Sequence, residues 1–337
     1  MRPPQSRGSG RRHDTRSAGA PRRPRRRRNR RLRRLAALAT LSLLVAAVAV
    51  AGISAARALD PRPAHAADRH ASPPQTTAGA RPSSATSSRP ATTPQADVDP
   101  LHALAAALEP LLPHRTGDVA VGVVDLTTGA QALYDGSQRF HTASIVKADV
   151  LAALLLRHQR AGIDLSAEEV TLATQMIEDS DNDAATDLWT DVGAAYGMAQ
   201  ANVTLGLVHT TPGADYYWGL TTTTVADQLR LLEDLTSPHS PLDAASRSYE
   251  LDLMEDVTPD QAWGVSTAAT PGTPVAVKNG WLPDPELWVI NSIGVVHHAG
   301  QELLLAVLSD DQPSEETGIA QVDALAAAAA TAMTGTP

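Results

Sequence analysis

The stretch 142–151, TASIVKADVL, places Ser144 three residues before Lys147 at the start of an apolar pattern with helical spacing. The pattern predicts a helix from about Ser144 to Arg160. Residues three apart on a helix lie on the same face, so Lys147 is placed to reach Ser144. A serine hydroxyl is a poor nucleophile until a base removes its proton, and a neutral amine can do this. The alternative is an ordinary helix start, with Ser144 near the cap and Lys147 in solvent.

The chain has only one other lysine, Lys278, and it opens the sequence Lys278-Asn279-Gly280-Trp281. The apolar run 275–277 just before it predicts a strand. A cation at the end of this strand could bind a substrate carboxylate, and Gly280 would let a substrate backbone approach the strand edge. The Asn-Gly pair is also a strong turn signal by itself. All other side-chain cations are arginines, which do not lose their proton in a protein, so the two lysines are candidate site residues.

Between the two lysines lies Ser180-Asp181-Asn182, in a region whose pattern predicts helices. Ser and Asn bond readily to nearby backbone, which is typical of a turn or a helix cap. In a functional interpretation, the Ser180 hydroxyl relays a proton, the Asn182 amide orients a substrate, and Asp181 holds the turn.

The three motifs, in this order, resemble those of the penicillin-recognising serine hydrolases, most closely the class A β-lactamase-like group. The resemblance covers about residues 100–335. It implies that Ser144 is the nucleophile, that Lys147 is its base or proton relay, and that Ser180 passes a proton to the leaving nitrogen. It also implies substrate contacts from Asn182, Lys278, Asn279 and Gly280, and an oxyanion hole formed by the backbone N–H groups of Ser144 and Trp281.

The chain departs from that family in two places. Class A β-lactamases carry an Ω-loop Glu that activates the deacylating water, whereas residues 179–232 contain no Glu. Asp215 is the only carboxylate from position 206 to 220, and we interpret it as a turn residue, with a catalytic base as the alternative. Asn279 replaces the usual Thr or Ser hydroxyl. Because the Glu that activates the deacylating water is missing, we expect acylation of the serine without fast hydrolysis.

The order of predicted elements is a helix, two strands, a block of helices, three strands and a final helix. This order predicts an α+β fold over residues 98–337, in which terminal helices flank an antiparallel sheet and a helical subdomain stands apart. The predicted strands are 118–126, 130–134, 275–277, 288–296 and 303–308. The predicted helices lie near 101–111, 144–160, 166–206, 224–255 and 317–333.

The first 97 residues divide into three segments by composition. Residues 1–34 hold fifteen Arg and one Asp, residues 35–56 carry no charge, and residues 57–97 are rich in Pro, Ser, Thr and Ala. An apolar run of about 20 residues can span a bilayer, and positive charge before it predicts a cytoplasmic N-terminus. We expect a single-pass membrane anchor at 35–56 and a disordered linker that carries an exported domain. A cleaved signal peptide, exported by the Sec or twin-arginine route, is the alternative.

Charge and composition argue against two further classes of function, nucleic-acid binding and metal-dependent chemistry. Residues 95–337 contain eight Lys and Arg against thirty-four Asp and Glu, which argues against nucleic-acid binding. The chain has no Cys, and the adjacent pair His297-His298 is unlike a zinc-binding helix, so we expect no metal and no cofactor. The sequence predicts an exported serine hydrolase acting on a β-lactam or a D-Ala-D-Ala-like peptidoglycan peptide. A cell-wall peptidase or transpeptidase and a non-catalytic wall-binding domain are the alternatives.

Overall fold

The computed structural model describes residues 99–284 and 287–335. The segments 1–34, 35–56 and 57–97 lie outside the described residues, so the tail, the membrane anchor and the linker stay predictions. In the part of the chain that is described, no helix is both long enough and apolar enough to cross a membrane.

Within residues 99–284 and 287–335, seven strands form two antiparallel sheets. They are β1 (Val119–Asp125), β2 (Gln131–Tyr134), β3 (Phe140–His141), β4 (Thr222–Thr223), β5 (Val275–Asp284), β6 (Leu287–His298) and β7 (Gln301–Gln312). The main sheet has the strand order β2-β1-β7-β6-β5, and β3 pairs with β4 in a small second sheet. The pair β5 and β6 places Lys278 opposite Ile293, near the middle of the edge strand.

The described residues contain eight α-helices. They are α1 (Pro100–Leu108), α2 (Val146–Ala161), α3 (Ala167–Glu178), α4 (Asn182–Asp191), α5 (Ala194–Leu205), α6 (Val225–Thr236), α7 (Ala244–Glu255) and α8 (Glu315–Thr334). The terminal helices α1 and α8 share one apolar core with the sheet, whereas α2 to α7 share a second core that includes residues of the other sheet face. This arrangement confirms the predicted α+β fold.

The strand β1 shows why both faces of the sheet are covered. All seven of its residues are buried. Val121 and Val123 belong to the core shared with α1 and α8, while Ala120 and Val124 belong to the core of the helical block. Because successive side chains of a strand point to opposite faces, a strand between two helical layers is apolar on both sides.

The helix α2 is the central element of the helical block. It follows a short 3₁₀ turn, Ala143–Ile145, and ends at Gly162, whose φ of 65° suits a glycine cap. Twelve of its sixteen residues are buried, including Lys147 and Asp149. A helix that is enclosed on nearly all sides is held rigidly, so the residues at its start have a fixed position.

Candidate active site

Lys147 lies in the first turn of α2, and its side chain is fully buried. Its Nζ donates hydrogen bonds to the backbone oxygen of Ser180 (2.7 Å), to Ser180 Oγ (3.0 Å) and to Asn182 Oδ1 (2.8 Å). Burial lowers the pKa of Lys147 well below its usual range, the nearby Lys278 lowers it further, and Asp181 opposes the shift. The environment therefore favours the neutral amine, which is the form that accepts a proton.

Lys278 approaches the same hydroxyl from the strand β5. It is 1% exposed, and its Nζ donates to Ser180 Oγ at 3.0 Å and to the backbone oxygen of Asn279 at 3.3 Å. Burial lowers the pKa of Lys278 to about 7. Ser180 Oγ thus lies 3.0 Å from each of two buried amines. A hydroxyl both donates and accepts hydrogen bonds, so in this position it can pass a proton between them.

The position of Ser180 is set by the turn between α3 and α4. Asp181 caps α4, and its carboxylate accepts hydrogen bonds from the backbone N–H groups of Asp183 (2.8 Å) and Ala184 (2.9 Å). This is the turn-holding position expected for Asp181. Ser180 itself has a φ of 51°, a conformation that costs about 1–3 kcal/mol for a residue other than glycine. The capped turn maintains this conformation and directs both Ser180 and Asn182 toward Lys147.

Ser144 lies in the 3₁₀ turn before α2 and is partly buried. The residue before it, Ala143, has a φ of 48°. The strand β5 passes very close to this turn, because a Cβ added to Gly280 would lie 2.7 Å from the backbone nitrogens of Ser144 and Ile145. A glycine is therefore required at this point of the strand, and the edge of β5 lies directly beside Ser144.

Ser144 and Lys147 are only three positions apart in the sequence. Among the described residues, however, no hydrogen bond is formed between the Ser144 hydroxyl and the Lys147 amine. The three hydrogen bonds from Lys147 to Ser180 and Asn182 use all three hydrogens of a protonated amine, whereas the neutral form that the lowered pKa favours has two hydrogens and cannot donate all three. Catalytic hydrogen bonds are often long in the absence of substrate and shorten when it binds. One of the three bonds has to be released before Lys147 can accept a proton from Ser144.

Asn279 faces away from the two lysines. Its side chain is buried, and its Nδ2 donates to the backbone oxygens of Gln261 (2.5 Å) and Trp263 (3.1 Å). Both amide hydrogens are used, so none is left to donate to a substrate carboxylate. Alternation along the strand explains this, because the residue after Lys278 points to the opposite face. The Trp281 ring packs edge-on against Trp263, with 6.0 Å between ring centres.

The loop before β4 contains two residues of interest. Asp215 is exposed, has a φ of 50°, and accepts a hydrogen bond from Trp189 Nε1 through its backbone oxygen (2.8 Å), which agrees with its interpretation as a turn residue. Trp218, which the sequence did not single out, lies with its ring centre 4.9 Å from Lys147 Nζ. No periodic pattern marks this loop, and 70 residues of sequence separate Trp218 from Lys147.

The histidines at the end of β6 are not arranged as a metal site. His298 Nδ1 lies 2.6 Å from the backbone oxygen of Ala268. Within residues 99–284 and 287–335, no group of three or more His, Asp or Glu side chains could hold a metal ion.

Comparison with sequences of known proteins identifies relatives of the chain. Residues 103–172 and 156–333 match the family described as the beta-lactamase enzyme family. A protein of Mycobacterium tuberculosis that carries the name lipoprotein LppW is 28% identical over 207 residues. That match covers 59% of this chain and 64% of the relative, so the chain spans less than two thirds of the relative's length.

Solved structures share the fold at low sequence identity. A class A beta-lactamase from Bacteroides cellulosilyticus is 16% identical with a TM-score of 0.62, over 71% of this chain and 100% of that chain. PBP-A is 19% identical with a TM-score of 0.60, over 69% and 96%. A class A beta-lactamase from Mycobacterium abscessus is 20% identical with a TM-score of 0.58, over 69% and 99%. These likenesses confirm the predicted β-lactamase-like architecture. Because the family match extends over more than half of its residues, the chain belongs to the beta-lactamase enzyme family.

Proposed function

We propose that this protein is a serine hydrolase that forms an acyl-enzyme at Ser144 with a β-lactam or a D-Ala-D-Ala-like amide. One observation carries the proposal, namely that the Ser180 hydroxyl lies 3.0 Å from each of two buried amines, Lys147 and Lys278. Burial lowers the pKa of an amine because it disfavours the charged form. Amines with lowered pKa values are concentrated at sites where proton transfer is needed. Membership of the beta-lactamase enzyme family supports the same conclusion.

In the proposed acylation, neutral Lys147 takes the proton of Ser144 Oγ, and the oxygen forms a bond to the substrate carbonyl carbon. The C–N bond then breaks, and the leaving nitrogen receives a proton from Ser180 Oγ. Ser180 regains a proton from the Lys147 ammonium, so the amine returns to its neutral form. The backbone N–H groups of Ser144 and Trp281 would stabilise the oxyanion, which needs the close approach that Gly280 permits.

Two further side chains are assigned to substrate binding. Lys278, in its charged form, would bind the substrate carboxylate, and the Asn182 amide would orient the substrate. We do not assign the Asn279 side chain to the substrate, because its amide hydrogens are bonded to the segment 261–263.

A transpeptidase or peptidase of the cell wall is a second candidate function. A mutant of PBP-A has been captured as an acyl-enzyme with penicillin G. The observation that favours this candidate is that the loop side chain in contact with Lys147 is the indole of Trp218, which cannot activate water as a carboxylate would. The non-catalytic alternative is favoured by the missing hydrogen bond between Ser144 and Lys147.

We further propose that the folded domain is exported. The apolar segment 35–56 would hold it at the membrane or be cleaved during export. The name of the M. tuberculosis relative, a lipoprotein, supports a location at the outer side of the membrane. This chain contains no Cys, so the usual lipid-carrying residue of a lipoprotein is absent and the anchor would be the segment itself.

The test is intact-mass spectrometry of the full chain, purified in detergent, over time after mixing with penicillin G. We expect a mass increase equal to the whole penicillin, because ring opening releases no fragment. The Ser144→Ala variant should show no increase. If no penicillin, cephalosporin or acyl-D-Ala ester gives an adduct that depends on Ser144, the proposed function is wrong.

A further inference from the structure

The indole of Trp218 covers the Lys147 amine from the side of the loop before β4. The distance from its ring centre to Lys147 Nζ is 4.9 Å, within the range of a cation–π contact. The indole Nε1 donates a hydrogen bond to Thr186 Oγ1 (3.2 Å), one turn into α4 from Asn182. The ring also packs against the apolar core of the helical block. The position of the indole is therefore fixed by α4 and the core, not by solvent-exposed loop residues.

The loop segment 218–221 also rests on the residues that lead into Ser144. The backbone N–H of Thr142 donates to the backbone oxygen of Thr221 (2.8 Å), and His141 Nδ1 lies 3.2 Å from the backbone oxygen of Leu220. A Cβ on Gly219 would lie 3.8 Å from Ala143 Cα, which is ordinary contact distance. Trp218 is thus held between the turn that carries Ser144 and the helix that carries Asn182.

The side chain by which this loop contacts Lys147 is an indole, which is not a base. Asp215, the only carboxylate among the described residues 206–220, has an exposed side chain. An indole has one polar atom, an N–H that only donates, and here it is bonded to Thr186. Hydrolysis of an ester on Ser144 requires a base within hydrogen-bond reach of the attacking water. The indole can neither accept a proton from that water nor accept a hydrogen bond that would hold it.

We propose that Trp218 is a positioning residue that excludes water from the Lys147 side of the acyl group and thereby makes the acyl-enzyme long-lived. The inference rests on the proposed function, because it concerns the fate of the ester on Ser144. It gives a second reason for slow hydrolysis. The Glu that would activate water is missing, and in addition a large apolar ring occupies the space beside the amine.

The experiment measures the lifetime of the adduct between the full chain and a fluorescent penicillin, chased with unlabelled penicillin G. Trp218→Phe keeps an apolar ring and should leave the lifetime within about twofold of the unchanged protein, because water stays excluded. Trp218→Ala opens the space and should shorten the lifetime about tenfold. Trp218→Glu adds a base as well as space and should shorten it by about 100-fold, the lower end of what a positioned base contributes.

Tyr216→Ala is the matched control, because Tyr216 is an aromatic residue of the same loop that is 69% exposed. Its adduct should last as long as that of the unchanged protein. A second variant, Thr186→Val, removes the hydrogen bond to the indole while the ring stays, and it should shorten the lifetime less than Trp218→Ala does. The melting temperature and the acylation rate are measured for each variant, so that loss of fold is not mistaken for faster hydrolysis.

The possible results separate two failures. If Ser144 is acylated and the lifetime is the same in Trp218→Ala, Trp218→Glu and Thr186→Val as in the unchanged protein, the Trp218 inference alone is overturned. If Trp218→Ala and Trp218→Glu do not fold, an unchanged lifetime in Thr186→Val overturns it. If neither the unchanged protein nor Tyr216→Ala forms an adduct, the proposed function is overturned and the inference with it.

Discussion

At the scale of single residues, the site depends on an amine that can exist without its proton. Lys147→Arg removes this ability, because a guanidinium stays protonated in proteins. We expect the acylation rate of Ser144 to fall by about 100- to 10,000-fold, the usual contribution of a general base. The initial rate of adduct formation with a fluorescent penicillin measures this. Arg157→Lys, on the same helix but exposed, is the control, and a Lys147→Arg variant that reacts at the normal rate would exclude Lys147 as the base.

The second residue-scale prediction concerns Lys278. Its pKa of about 7 means that its positive charge is lost as the pH rises through 7. Acylation by a β-lactam with a free carboxylate should therefore decline above pH 7, whereas acylation by the methyl ester of the same compound should not. Second-order acylation rates from pH 6 to 9 for the two compounds test this. Lys278→Ala should abolish the difference between them, and identical pH profiles in the unchanged protein would contradict the role of Lys278.

At the scale of elements, the contact between β5 and the turn at 143–145 sets the geometry of the site. Gly280→Ala would place a methyl group 2.7 Å from the backbone nitrogens of Ser144 and Ile145, so the strand or the turn has to move. A displacement of about 1 Å can cost about 100-fold in rate, so we expect a loss of acylation of that size. Adduct formation and the melting temperature are measured together. Normal acylation by a folded Gly280→Ala protein would show that this contact does not position the serine.

The elements differ in how well the sequence predicts them. The continuous apolar run of β1 and the helical spacing of α2 are local signals, and both elements form where they are predicted. The two-residue strands β3 and β4 were not predicted, because 80 residues separate them and neither has a pattern of its own. Strand alternation indicates that the side chains of Lys278 and Asn279 point to opposite faces of β5. The family resemblance instead assigned Asn279 a substrate contact, and this orientation contradicts it. Trp218 meets Lys147 only in the folded chain, and nothing local marks it.

At the scale of the whole molecule, the core of the helical block encloses two carboxyl groups. Asp149 on α2 and Glu250 on α7 are both fully buried. Burial, followed by the nearby Asp227, raises the pKa of Asp149 to about 8, while the side chain of Gln228 acts in the opposite direction. Burial and the neighbouring Asp149 raise the pKa of Glu250 well above its usual range. The folded protein therefore keeps protons on these groups at a pH at which the unfolded chain has released them.

This difference makes stability depend on pH. Between about pH 4 and 8 Asp149 and Glu250 bind more protons in the folded state than in the unfolded state, so their contribution to the free energy of unfolding falls as the pH rises. Glu250→Gln needs no proton and should increase the free energy of unfolding at pH 6 while reducing its pH dependence. Urea unfolding at pH 5 and pH 6, below the range in which Lys278 loses its charge, is the measurement. Glu255→Gln, at an exposed position of α7, is the control, and equal stability of the unchanged protein at both pH values would contradict the prediction.

The burial of both lysines has a consequence for spectroscopy. Lys147 and Lys278 are 0% and 1% exposed, and the chain has no other lysine. Selective ¹³C labelling of lysine at Cε would therefore give a two-peak NMR spectrum of the full chain, with both peaks from the candidate site. Because the chemical shift of Cε follows the charge on Nζ, the two peaks would report the protonation of both amines. The natural scarcity of lysine thus provides a pair of probes inside the site without any engineered label.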